Sequence, residues 1–220
     1  MKLNKEEIAK LKAIYTATVT FFGQTGRSLN PGFDYAGFKI LNTPPEYMPP
    51  IFFIGYQPGR DADHWKEECR SESYDTWPAR NECLEGDWFL ANRMQEMFGA
   101  KLEGCVCLNA IFRRAPTVKD YQLAVNRHSR AEIKKFCLAR VGEIIEVIQP
   151  KQIVAIGFGT LTLFGPSTPD LRNSKNRTLT RLGRIADRQV IATLHLTGAR
   201  ISTRDRELTR DRVLAFVDQS

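Results

Sequence analysis

Four short apolar runs constrain this chain most: 51–54 (IFFI), 105–108 (CVCL), 153–156 (IVAI) and 190–194 (VIATL). Each is nearly continuous, where a strand with one wet face would alternate apolar and polar side chains. Such a run suits a strand covered on both faces, the condition inside a parallel sheet. Helical patterns lie between the runs. From 88 to 98, Leu90, Met94 and Met97 recur at helical spacing and Gly99 follows as a C-terminal cap. The strongest pattern spans 129–149, where Ile133, Phe136, Cys137, Val141, Ile144, Ile145 and Ile148 form one stripe that Pro150 ends. A last helix is expected from 202 or 203 to 217, with Asp205 favouring its N-terminus.

Ahead of the first run, 5–22 carries Ile8, Leu11, Ile14 and Tyr15 at helical spacing, and Gly23 is its stop. Residues 24–50 are broken by Asn30-Pro31-Gly32, Pro44-Pro45 and Pro49-Pro50, the pattern of an ordered loop or an arm over the surface. Strand, helix, strand, helix, strand, long loop, strand, helix predicts a three-layer α/β/α sandwich around a four-stranded parallel sheet. With 220 residues, 42% of them hydrophobic, one domain over 1–220 is expected. Its N-terminal helix and arm occupy 1–50 and its core 51–217.

No apolar run approaches the roughly 18 residues of a membrane helix, and the charged N-terminus has no signal-peptide core. A soluble, cytoplasmic monomer is expected. The cysteines number five (Cys69, Cys83, Cys105, Cys107, Cys137), and reduced thiols are their simplest reading. Repeated paired spacings of a metal or iron–sulfur site are missing, so no cofactor is expected.

Net charge is +7, and its placement is informative. Residues 171–212 hold eleven basic residues against four acids, a surplus equal to that of the whole chain. A solvated basic face would explain any such run, but concentration in one fifth of the chain favours a polyanion partner.

In parallel sheets the ligand sits beyond the carboxyl ends of the strands. There the sequence places Gly55-Tyr56-Gln57-Pro58-Gly59 after the first run and Asn109-Ala110 after the second. Gly157-Phe158-Gly159 follows the third, and His195-Leu196-Thr197-Gly198-Ala199-Arg200 the fourth. Taken singly, Gln57 could be an amide bonded to its own turn, Asn109 a residue satisfying loose backbone, and His195 a hydrogen-bonded core ring. Together they form a rim of amides and an imidazole.

These motifs resemble those of the uracil-DNA glycosylase superfamily. Gly55-Tyr56-Gln57-Pro58-Gly59 is similar to its first motif in GxxPG form, and Leu108-Asn109-Ala110 to the LNA of its second strand. His195-Leu196-Thr197-Gly198-Ala199-Arg200 stands where its HPSP-type motif stands. The likeness covers roughly residues 48–217 and implies a uracil-DNA glycosylase-like fold. It implies that Gln57 positions the attacking water and that Asn109 reads the edge of a flipped base. His195 would donate to O2 as negative charge develops there. Gly55, Tyr56, Pro58 and Gly59 would line the base pocket, with Trp77 as the stacking aromatic among Trp65, Tyr74, Trp77 and Trp88. Arg113, Arg114, Lys175, Thr197, Gly198, Ala199, Arg200 and Arg204, with the basic loop 172–184, would contact DNA.

Departures from the family pattern shape the expected chemistry. Gln57 cannot act as a general base near neutral pH, so water activation is weak or borrowed from Asp61 or Asp63. Gly59 replaces a Tyr that excludes 5-methyl groups in the most uracil-restricted branch, which opens the pocket to 5-substituted pyrimidines. Ala199 is too small to wedge into a vacated base stack, leaving Arg200 or Ile201 for that task. No lysine lies in the three turns to form a Schiff base, so the expected enzyme is monofunctional. The resulting expectation is a DNA N-glycosylase of base-excision repair, or of defence against phage with modified DNA. Its rivals are a DNA-binding module that has lost catalysis and a small-molecule nucleoside or nucleotide enzyme.

Overall fold

A computed structural model describes residues 1–24, 29–31, 37–59, 78, 80–197 and 201–219. In chain order the elements are α1 (Lys5–Gln24), β1 (Ile51–Gly55), α2 (Glu82–Glu85), α3 (Phe89–Phe98) and β2 (Val106–Asn109). They continue with α4 (Val118–Ala124), α5 (Arg127–Ile148), β3 (Gln152–Ile156), α6 (Phe158–Phe164), β4 (Ser167–Arg172), β5 (Thr178–Ile185), β6 (Arg188–Thr193) and α7 (Thr203–Val217). The strands form one sheet in the order β2-β1-β3-β6-β5-β4.

The four apolar runs are the four parallel strands. β1 lies between β2 and β3, with Phe52 opposite both Val106 and Ile153, and β3 pairs in turn with β6, Val154 opposite Ile191. The sheet is nevertheless six-stranded and mixed, which corrects the expected four. Segment 167–185, read as loop from its Ser, Asn, Thr and Arg content, is an antiparallel hairpin added to β6. Its turns are built in two ways. At one, Asn173 Oδ1 accepts from the backbone N–H groups of Lys175 and Arg177. At the other, Ala186 and Asp187 both take positive φ (46° and 61°) between the paired Ile185 and Arg188, the twist a two-residue hairpin requires.

Side-chain alternation along the parallel strands feeds two cores. Phe52, Ile54, Val106, Leu108, Ile153, Ala155, Val190 and Ala192 face α1 and α5, meeting Leu11, Ile14, Phe22, Ile133, Val141 and Ile145. Ile51, Phe53, Cys107, Val154, Ile156 and Ile191 face α3 and α7, meeting Met94, Phe98, Val213 and Phe216. Helices therefore cover both faces, and each apolar side chain so buried stabilises the fold by about 1.5–3 kcal/mol. Phe53 meets Phe98 edge-on with ring centroids 4.7 Å apart, and Phe21 stacks on Phe136 at 4.0 Å. α5 starts two residues before the expected Ser129, because Asn126 caps it by accepting from Ser129 N–H.

The arm after α1 is more than a surface covering. Phe38, Ile40 and Leu41 are buried, and the arm runs along the outer edge of β2. Asn42 N–H donates to Cys107 O (2.8 Å), Cys107 N–H to Thr43 Oγ1 (2.9 Å) and Asn109 N–H to Ile40 O (3.3 Å). An edge strand with open backbone groups is a site for unwanted pairing, and the arm occupies those groups.

Candidate active site at the carboxyl rim of the sheet

Because β1, β2, β3 and β6 are parallel, their carboxyl ends lie on one rim. Gly55 sits opposite Asn109, and Ile156 opposite Thr193. Beyond the sheet the first two strand-end loops continue to bond: Ala110 N–H to Gly55 O and Ile111 N–H to Tyr56 O, both 2.8 Å, and Ala115 N–H to Pro58 O at 3.3 Å. This ladder brings Gln57 and Asn109 to the same end of the sheet. Gly55 is required there, since a Cβ at its position would lie 2.8 Å from Asn109 Oδ1.

Gln57 is not bonded to its own turn. Its Nε2 donates to Ala115 O, 58 residues along the chain, at 3.3 Å. Its Oε1 is buried and accepts nothing among the described residues, and Asn109 Nδ2 is buried and donates to nothing among them. Asn109 as a whole is 5% exposed. Leaving a buried polar group unmet costs about 1–3 kcal/mol, and these two atoms carry that cost at one end of the sheet. One is an acceptor and the other a donor, the complement of an amide-like edge.

The third strand end joins this pair to His195. Gly157 adopts φ 90°, and a Cβ there would approach His195 Cδ2 to 3.4 Å, while one at Gly159 would stand 3.8 Å from the Tyr56 ring. The start of α6 thus has His195 beside its N-cap Gly157 and Tyr56 beside Gly159. Thr197 orients the imidazole: its backbone N–H points to Nδ1 at 3.4 Å and its Oγ1 lies 2.9 Å from the same atom. A backbone N–H only donates, so Nδ1 is the acceptor and the neutral ring carries its proton on Nε2. The residue keeps an open face to solvent, yet the surrounding protein desolvates the ring enough to lower its pKa. The Tyr56 phenol is held neutral in the opposite sense, burial raising its pKa against the pull of Arg130.

A cavity of about 220 Å³ opens beside His195 between α3 and α7, its lining combining the apolar Met97, Leu194 and Leu196 with the basic Arg93, Arg206 and Arg210 and the acidic Glu96 and Glu207. Among the described residues no group of three or more His, Cys, Asp or Glu is placed to hold a metal ion. Cys83, Cys105, Cys107 and Cys137 are free and buried, and Cys105 Sγ lies 3.8 Å from Cys107 Sγ. Burial pushes the Cys137 thiol up to about 12, and Cys107 is raised as well by the same cause.

Not every residue expected to contact DNA lies on the surface. Arg113 and Arg114 are 2% and 6% exposed, so neither offers the surface phosphate contact the sequence suggested. They belong to the segment 110–115, buried throughout, where Arg113 bridges to Phe38 and Arg114 N–H donates to Gly37 O. Lys175 and Arg204 are exposed, as is Gly59, where a Cβ would meet Pro116 O at 3.6 Å and no other described residue within 4 Å. Trp88, at the start of α3, is 42% exposed. Trp77, Gly198, Ala199 and Arg200 lie outside the described residues, as do Asp61, Asp63, Trp65 and Tyr74. Sequence reasoning missed Ala115 as the partner of Gln57. It also missed Thr197 as the residue that orients His195, although a hydroxyl two residues after a His was there to be read.

No protein-family model matches the chain, and a search of the curated proteins finds no match.

Proposed function

We propose that the chain is a monofunctional DNA N-glycosylase of the uracil-DNA glycosylase type, acting on a flipped uracil-like or 5-substituted pyrimidine. The observation that carries this reading is the pair of unmet amide atoms, Asn109 Nδ2 and Gln57 Oε1, on a rim shared with a neutral His195 bearing its proton on Nε2. A pyrimidine offers a carbonyl to Asn109 Nδ2. The departing base collects negative charge on O2, where the Nε2–H of His195 donates. Gln57 Oε1 accepts one hydrogen of the water that attacks C1′ and so orients it; as the water oxygen bonds to C1′ the proton it sheds goes, through solvent, to the departed base anion. A sugar cation accepting water needs little more than that. The mixed α/β sheet with four parallel strands and helices on both faces accords with this type of fold. The concentrated basic charge accords with DNA as partner, and no described helix is long and apolar enough to cross a membrane. Action as a monomer in the cytoplasm, in repair or in defence against modified phage DNA, belongs to the same proposal.

The test is base release from oligonucleotides carrying uracil, hypoxanthine and a series of 5-substituted pyrimidines, together with phage DNA. Abasic product from at least one substrate, abolished in Asn109→Ala and His195→Ala proteins that still fold, is expected. Tight DNA binding with no abasic product from any substrate would leave a binding module instead. Turnover near wild type in both variants would mean that the site is elsewhere.

A further inference from the structure

The basic surplus of the C-terminal fifth divides between two ends of the sheet, and only one of them is the functional rim. β5 runs antiparallel to β6, with Thr180 opposite Thr193 and Ile185 opposite Arg188. The start of β5 and the end of β4 therefore stand beside the carboxyl end of β6, two residues from His195. The turn 173–177 projects past that rim. Arg184 and Arg188 lie at the opposite end, where Arg184 donates to Asp187 O and Arg188 to Pro150 O. Arg181 packs over the Phe158 ring and bonds Ser167. Arg212 pairs with Asp170 at 2.8 Å.

At the functional end the charges are exposed and held on a firm base. Arg172, Lys175 and Arg177 surround the turn, and Arg204 and Arg206 occupy the start of α7; all five are exposed. Asn173 Oδ1 shapes the turn, and its Nδ2 donates to Asp205 Oδ2 at 3.0 Å, fastening the hairpin tip to the first turn of α7. Arg206 also lines the cavity beside His195, so the ridge is continuous with the site. A charged surface fixed in advance loses little entropy on binding.

We propose that turn 173–177 and the start of α7 form a phosphodiester-binding ridge on the His195 side of the rim. A DNA strand crosses this ridge as it delivers its base to the pocket. The proposal rests on the DNA reading above and assigns its backbone contacts to Arg172, Lys175, Arg177, Arg204 and Arg206; of the residues expected at DNA it keeps Lys175, Arg204 and the tip of loop 172–184, drops the buried Arg113 and Arg114, and adds Arg206.

The test is fluorescence anisotropy of a labelled, undamaged oligonucleotide across a salt series, for wild type, Lys175→Glu and Arg184→Glu. The last two carry the same change in net charge at opposite ends of one hairpin. Each phosphate contact contributes about 0.9 to the slope of log affinity against log salt on duplex DNA. Lys175→Glu is expected to weaken binding at low salt and to lose about 0.9 of slope, while Arg184→Glu keeps the wild-type slope. Lys175→Gln moves the slope in the same direction as Lys175→Glu, and thermal melts verify that each variant is folded. An unchanged slope in Lys175→Glu, or an equal loss in Arg184→Glu, overturns the ridge. Slope loss in a protein that releases no base keeps the ridge and removes the glycosylase. Base release with no slope loss does the reverse.

Discussion

At the scale of single residues, the site depends on which atoms are kept back from the fold. Gln57 uses its amide nitrogen to hold Ala115 and leaves its oxygen unmet, while Asn109 leaves its nitrogen unmet. Gly55→Ala probes this arrangement directly, because the new methyl would lie 2.8 Å from Asn109 Oδ1. Overpacking of this kind costs about 1–3 kcal/mol. Single-turnover base release is expected to fall at least about tenfold, one such increment of 1.4 kcal/mol in the barrier, while the Tm drops by only a few degrees. Gly59→Tyr tests the open wall of the proposed pocket: the position is exposed, so the variant is expected to fold normally and to lose 5-substituted substrates before uracil in a competition assay. His195 sets the pH dependence. Its pKa in the fold lies below the usual value of about 6.5 because burial disfavours the charged ring. The neutral donor is therefore present throughout neutral pH, and the ring charges only as pH falls past the lowered value. Base release is expected to be flat above about pH 6.5, and any change that follows the charging of His195 to appear only below it, since the charged ring keeps its Nε2–H; a step centred above that value would contradict the geometry.

At the scale of elements, the hairpin and the arm are the parts that tertiary structure explains and local sequence does not. Asp170, at 12% side-chain exposure, takes both Arg212 and the Thr180 hydroxyl (2.7 Å), tying β4 to α7 and β5. Hydrogen bonds to a charged group contribute about 1.5–3 kcal/mol, and Asp170→Ala is expected to destabilise the protein by about that amount in urea unfolding. Amide exchange in 173–177 should rise with it. The parallel strands were legible because continuous runs such as IFFI have no reading with a wet face. β4 and β5 were not, since STPDLR and TLTRLGRI are half exposed and carry the same Arg and Thr that a solvated loop would. The rim amides and His195 could be placed from strand ends alone. The burial of Arg113 and Arg114 could not, because it depends on the arm crossing β2 from a segment some seventy residues earlier. The tautomer of His195 was equally out of reach without the position of Thr197.

At the scale of the molecule, two cores share one sheet, and the four described cysteines are buried as free thiols within them. The Tm is expected to be the same with and without reductant, as measured by a thermal melt under each condition; a reductant-sensitive melt would mean that at least one of these four thiols is paired. The sheet also differs from one end to the other in how far apart its partners lie along the chain. β4, β5 and β6 pair with immediate neighbours through short turns, whereas β1 reaches its register only when Ile51 meets Gln152 and Phe52 meets Val106. Loop closure makes distant pairings slow and neighbouring ones fast. In a refolding experiment the hairpin carrying the positive ridge should gain protection first, and the amides of the base pocket last. Under the proposed function, the nascent chain would then acquire its attraction for polyanions before it has any means of choosing a base.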